Sequence, residues 1–302
     1  MKTILSYFPN VLILFIFLSA CGNGPEWRKV NSGTDASLSG LWVRDNNDVW
    51  SVGNHGTILH WDGNVWQQEA SGTTHNLYDI WGADDEMWAV GDGGTLLKWT
   101  QGAWQTLDLG INNRLDSVWG IDKDHIWVVG FGVALHYHDE TWDIEKNETW
   151  LRDIWGQNRN NLWAVGSMNN YDLAKWNGET WVENASEGPS TQAIWGSDNN
   201  NIWFVGGNII PGTSVIRRYQ NNEWTTALER TDWAQLNSIW GAHANDVWAV
   251  GSFGMIVHFH ENKWERFDMD SNAGLWSVLG TDEENVWAVG NDGTILHYGA
   301  SQ

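Results

Sequence analysis

The sequence predicts an all-β fold, a seven-bladed β-propeller, on three observations. A Trp-rich unit recurs seven times, each unit holds four strand-like segments, and the seventh unit lacks its last segment while the N-terminus carries one extra. The clearest copy is Leu236 to Trp264, LNSIWGAHANDVWAVGSFGMIVHFHENKW. Its segments are short, rich in Val, Ile and Trp, and bounded by Gly, Asn or Asp, the pattern of strands joined by tight turns.

The register is countable. The Trp of the D-x-W-x-V-G segment falls at 50, 88, 127, 163, 203, 248 and 287, with steps of 36 to 45 residues. The Trp-Gly position of the first strand falls at Trp42, Trp81, Trp119, Trp155, Trp195 and Trp240, and is Leu279 in the last copy. A third aromatic series runs Trp61, Trp99, Tyr137, Trp176, Tyr219, Phe259 and Tyr298. The fourth runs Trp66, Trp104, Trp142, Trp181, Trp224 and Trp264, and then the chain ends. Trp27 lies 15 residues before Trp42, as Trp66 lies 15 before Trp81. Four strands per period of about 40 residues is a propeller repeat. The N-terminal strand is therefore expected beside Ile295 to Tyr298, completing the last blade and closing the ring.

From the N-terminus, residues 1–20 hold Lys2, an apolar run from Val11 to Leu18 and a small-residue end. The run is too short to span a bilayer, so it reads as a secretory signal. Cys21 is the only cysteine, which rules out an internal disulfide. Leu18-Ser19-Ala20-Cys21 resembles the lipobox of bacterial lipoproteins. That resemblance implies cleavage before Cys21, acylation of Cys21 and anchorage in the cell envelope. Gly22, rather than Asp, after the cysteine is similar to outer-membrane sorting in enterobacteria. An ordinary signal peptide is the alternative. Residues 21–26 form a tether reaching about 20 Å at ~3.5 Å per residue, and residues 27–302 read as one propeller domain.

Without Lys2 the mature chain has 15 basic and 38 acidic residues, a net charge of −23. This excludes nucleic-acid binding, which needs a basic footprint. It also leaves no polybasic attraction to anionic lipid, so any membrane contact falls to the acyl chains.

Of the 26 tryptophans, 23 lie on the four series once Trp27 is included, and packing between radial sheets accounts for them. Trp150, Trp233 and Trp276 lie off the repeat. A basic or imidazole side chain precedes every third-series aromatic, at His60, Lys98, His136, Lys175, Arg218, His258 and His297. Sheets packed about 10 Å apart cannot bring these histidines to one zinc at about 2.1 Å. Hydrogen bonding, ion pairing or stacking on Trp is expected instead. The first turns (DNND, ADDE, DKDH and relatives) are rich in Asp and Asn but lack calcium-loop spacing, and read as self-capping turns. No cofactor motif is present.

The segments IWG, DVWAVG and GTILHWDG, spanning Trp27 to Tyr298, resemble those of bacterial propellers grouped as BNR-like, WD40/YVTN-like or Kelch-like. HWDGNVW is similar to the Asp-box of sialidase-type repeats, one residue shorter between Asp and Trp. The resemblance implies a fold rather than an activity. Neither an arginine cluster with a tyrosine nucleophile nor a Ser/His/Asp arrangement accompanies it, so a glycan-processing enzyme is the least supported reading. Two readings stay ahead of it: a binding module for a glycan or protein, and an outer-membrane assembly scaffold.

Consecutive strands are antiparallel, so alternate connections share a rim. The tether enters at the rim of the first-to-second turns and would turn that rim toward the membrane. The other rim carries the longer loops, Ser167 to Asp172 and Gly206 to Thr213, and the off-repeat tryptophans. Ligand contacts are expected there, near repeats four to six, from Trp150, Tyr171 and Trp233, with Trp276 as a further candidate.

Overall fold

The computed structural model describes residues 24–168, 171–184, 190–208, 212–267, 269 and 272–300. The signal segment and Cys21 lie outside the described residues, as do positions 169–170 and 209–211 of the two long loops.

The chain is all-β, in antiparallel sheets. Repeats one, two, five and six each make a four-stranded sheet whose strands follow chain order. In the sheet of repeat seven, Glu26–Val30 lies outside Ile295–Gly299, with Trp27 opposite Tyr298 and Val30 opposite Ile295. Repeats three and four share a six-stranded sheet. There the strand Thr141–Asn158 runs unbroken from the outer edge of repeat three into the first strand of repeat four. The first strand of each repeat contacts that of the next, from Leu38–Asp45 round to Leu275–Asp282, which in turn contacts Leu38–Asp45. Radial sheets about an axis make a propeller.

Two interlocks explain why Trp recurs. The first uses the Trp-Gly pair. A Cβ on Gly120 would sit 2.5 Å from the ring of Trp81, so the bare glycine backbone lets the preceding repeat's indole lie on it. Trp155 on Gly196, Trp195 on Gly241 and Trp240 on Gly280 repeat the contact. One exception is complementary. Repeat seven carries Leu279 instead of Trp, and repeat one carries Val43 instead of Gly; the two pack in one cluster with buried Val43. A smaller side chain on one sheet leaves room for a larger one on the next.

The second interlock uses the D-x-W tryptophan, which at six of the seven junctions packs on both outer aromatics of the following repeat. Trp50 meets Trp99 at 5.0 Å and Trp104 at 6.1 Å between ring centroids. Trp248 meets Tyr298 at 4.8 Å and Trp27 at 5.4 Å, so Trp27 occupies the place that Trp264 takes toward Trp203. Trp287 meets Trp61 and Trp66, each at 5.6 Å. Each buried indole removes roughly 150–250 Å² from water, enough to fill the wedge that opens outward between radial sheets.

The basic series belongs to this core. His60, His136, His258 and His297 stack on the D-x-W tryptophans of their own repeats at 3.7–4.1 Å. Lys98, Lys175 and Arg218 lie over theirs at 4.6–4.9 Å. The Asp- and Asn-rich turns cap themselves: Asn47 N donates to Asp45 Oδ1 and Asn200 N to Asp198 Oδ1, each at 2.7 Å.

The Leu279–Val43 exchange predicts a measurable coupling. Leu279→Trp alone should overpack Val43 and cost about 1–3 kcal/mol. Adding Val43→Gly should recover a part of that loss, giving a coupling of about 1 kcal/mol in a double-mutant cycle read by urea unfolding. Strictly additive effects would show that the two side chains do not share a contact. Trp27→Ala should destabilise the fold by about 3 kcal/mol, the usual cost of deleting a core indole.

Candidate functional site

The candidate site sits at one end of the axis and is built from a single strand position. Each first strand begins with an apolar or Thr residue whose side chain is buried, at Leu38, Leu77, Leu115, Leu151, Thr191, Leu236 and Leu275. The next residue points into a cavity of about 330 Å³ at the mouth of the central channel. Those residues are Ser39, Tyr78, Asp116, Arg152, Gln192, Asn237 and Trp276, one from every repeat. The flanking positions repeat while this one never does, so the scaffold presents a ring of unlike side chains on a rigid frame.

The charged sector of the mouth spans repeats two to four. Asp116 accepts from Arg114 at 2.7 Å and from Trp150 Nε1 at 2.9 Å. Burial pushes the Asp116 carboxyl up, and the charge of Arg114 draws it back down. Arg114 lies over the ring of Tyr78 at 3.9 Å, and Arg152 lies over Trp150 at 3.9 Å. Tyr78 donates its hydroxyl to Asp92 at 2.9 Å. Arg152 is less settled: its Nε is buried without a hydrogen-bond partner among the described residues, and burial lowers its pKa. Two guanidiniums face one carboxylate here, so the sector is set to receive an anionic group. Across the mouth Trp276 donates to Asn291 at 2.7 Å, and 42% of it is exposed.

Trp276 lines the mouth, and Trp150 stands behind it, holding Asp116 and Arg152. Trp233 is elsewhere, packed against the core between repeats five and six with Arg230 over its ring at 5.1 Å. Tyr171 opens the strand Tyr171–Trp176 opposite Met168, and its side chain lies outside the described residues. Tyr78, Arg114, Asp116, Arg152 and Asn237 were not singled out from the sequence. The signal available for four of them was a column that changes in every copy inside the most regular strand of the repeat. Among the described residues, no group of three or more His, Cys, Asp or Glu could hold a metal ion.

One step deeper lie two carboxyls, Asp79 and Asp153, joined through Ser117. The Ser117 hydroxyl lies 2.9 Å from Asp79 and 3.0 Å from Asp153. Backbone amides of the following repeats close the cluster, Val118 N on Asp79 at 2.9 Å and Ile194 N on Asp153 at 2.8 Å. A hydroxyl has one proton to give, so bonding both carboxyls requires one of them to be protonated. Burial pushes Asp79 up to about 7, with the charge of Asp153 adding to it, and pushes Asp153 up to about 6.

No protein-family model and no curated protein matches the chain. Solved structures do match its fold. The structure of YCF48 from Cyanidioschyzon merolae superposes with a TM-score of 0.74 at 17% identity, covering 90% of this chain and 98% of the other. A structure described as YCF48 bound to D1 peptide gives 0.74 at 16% identity, over 91% and 97% of the two chains. The WD40 β-propeller domain of Doa1 gives 0.75 at 11% identity, over 92% and 98%. At these identities the likeness shows a WD40-like propeller fold.

The buried carboxyls make stability depend on pH in a stated direction. Asp79 has a folded pKa of about 7, against the ordinary 3.8, so the folded chain holds a proton that the unfolded chain has lost. Between those values stability falls as pH rises, and the contribution of protonated Asp79 is gone above about 7. At about 1.4 kcal/mol per unit, the loss between pH 5 and 8 should be on the order of 3 kcal/mol, nearly all of it below about 7. Asp79→Asn should flatten this slope in urea midpoints measured across that range. An unchanged slope would place the shared proton elsewhere.

Proposed function

We propose that the chain is a lipid-anchored, extracytoplasmic binding propeller of seven blades, closed by its N-terminal strand, that holds an acidic stretch of a protein at the channel mouth. The observation carrying this reading is the mouth itself: seven unlike side chains, one per repeat, with Arg114 and Arg152 facing the single carboxylate of Asp116. An extended segment laid across the mouth would place a carboxylate on Arg152 and its apolar side chains on Trp276. The similar structure described as bound to D1 peptide supports a protein ligand. Exposed Phe131 and Phe253, on the second-to-third connections of the same rim, favour a protein surface over a glycan. They also leave room for the scaffold reading, in which the rim docks a folded partner.

Orientation follows from the anchor. Cys21 would carry lipid, in the outer membrane by the sorting resemblance, and six residues join it to Trp27. The chain enters Glu26–Val30 at the end where Glu26 pairs with Gly299, the rim of the first and third turns. The mouth opens at the other end, away from the membrane.

Selection from a random-peptide display library on the full mature chain tests the site. Enriched peptides should be acidic, and Arg152→Ala should weaken them by about ten- to a hundredfold, the worth of a charge-assisted hydrogen bond. Enrichment without an acidic bias, or binding untouched by Arg152→Ala and Trp276→Ala, would move the site off the mouth. For the anchor, Cys21→Ser should shift the protein from the membrane fraction to the soluble fraction with its thermal unfolding unchanged; retention on membranes after a high-salt wash would refute lipidation.

A further inference from the structure

The junction between repeats three and four departs from the other six in two ways, and repeats three and four share a third irregularity. First, Trp127 makes no ring-on-ring contact with Trp176 or Trp181 among the described residues, although the D-x-W tryptophan at every other junction meets both aromatics of the next repeat. Trp127 stacks instead on His136 and lies 5.9 Å from Trp119. Second, the three atoms nearest the missing Cβ of Gly156 belong to Leu162 and Asn161, so Trp119 does not sit on it as Trp81 sits on Gly120. Third, the polar pairing behind the D-x-W tryptophan is broken in repeat three, as it is in repeat four, where Asn161 Oδ1 is buried without a partner among the described residues. In five repeats the stacked basic or imidazole group meets the residue that opens the second strand: Asp48, Glu86, Asn201, Asp246 or Asn285, at 2.7–3.0 Å. In repeat three that opening residue is His125, which turns to Asp122 at 2.9 Å, and His136 Nε2 is left buried without a partner.

Between the two repeats, beside the buried cluster that Trp127, Ala134, Leu162 and Trp176 share, lies a cleft of about 400 Å³ at the rim opposite the channel mouth. Half-buried Trp181 offers it an accessible indole, with the buried Trp127 and Trp176 behind; His136, Arg159 and Glu179 are among its polar groups. The volume lies in the range of ligand pockets, roughly 300–1,000 Å³. Neither sign of charge holds the cleft alone: Asp139, Asp143 and Glu179 stand against Arg159 and the His138 imidazole, which Asp143 grips at 2.8 Å. Burial keeps His136 neutral, with its pKa lowered to about 4, so its ring carries one donor and one acceptor, of which the Nε2 site is itself buried.

We propose that this cleft binds one neutral sugar residue, its C–H face on the Trp181 indole and its hydroxyls on His136, Arg159 and Glu179. A hydroxyl both gives and takes a hydrogen bond, which matches a lining of mixed donors and acceptors. An anionic ligand would meet the three carboxylates, and a cationic one would meet Arg159.

Saturation-transfer NMR on the full mature chain, with D-glucose, D-galactose, N-acetyl-D-glucosamine and D-glucuronate as probes, tests the assignment. At least one neutral sugar should bind in the millimolar range. Trp181→Ala, and Ala134→Met, which fills the cleft, should each weaken it tenfold or more. Exposed Glu179→Gln should weaken it at least threefold without touching the core. Peptide binding at the mouth should be the same in all three variants. Failure of every neutral sugar to bind, tighter binding of glucuronate, or binding that survives both Ala134→Met and Glu179→Gln would overturn the proposal.

Discussion

The structure depends on the packing of one indole per repeat against two aromatics of the next. No sheet here can bury its own faces, because a four-stranded antiparallel sheet leaves both open. Trp50, Trp88, Trp163, Trp203, Trp248 and Trp287 each tie their sheet to aromatics some 49 to 61 residues away, or, for Trp248 and Trp287, also or instead to the chain's other end. Large side chains suit this task because the gap between radial sheets widens with radius. The imidazole or cation stacked behind each indole holds the ring in one plane and fixes which face meets the next sheet. Stability is therefore shared around the axis rather than held in separate units.

That frame frees one strand position to vary. The side chains of the mouth sit one residue after a buried anchor, so their backbones are rigid whatever the side chain is. Unlike residues can then be combined at little cost to the fold: Arg152 over Trp150, Arg114 over Tyr78, and Asp116 between them. Beneath them the Asp79–Ser117–Asp153 cluster staples repeats two to five through backbone amides. Two acids at that depth are tolerable because they share a proton and because each accepts from the main chain.

The two irregular junctions differ in kind. Between repeats seven and one, Leu279 and Val43 change together, and the contact survives with the volumes redistributed. Between three and four, Trp119, Trp127, Trp176 and Trp181 are all present and share one core cluster, yet neither lock takes the form it has elsewhere. The continuous strand Thr141–Asn158 joins these two repeats edge to edge where the others are joined only through faces and loops. A compensated change preserves packing. An uncompensated one leaves a cleft with an unpaired histidine in it.

What the sequence determined alone was whatever repeats with a period: the all-β class, the four-stranded sheet in five of the seven repeats, the relation of Trp27 to Trp66 and Trp264, and the stacked basic series. Repeats three and four instead merge into one six-stranded sheet. Periodicity is a local property of strands, and a Trp whose position recurs announces its own burial. The tertiary structure decided everything that depends on which repeats meet. Trp150 and Trp276 are 126 residues apart, and only the turning of the chain about its axis brings them to one end of it. Trp233 looked the same in sequence and packs under Arg230 instead. The opened junction was least legible, because all four of its tryptophans obey the repeat. Whether two rings that fit the pattern actually touch is settled by the sheets that carry them, not by the spacing that predicts them.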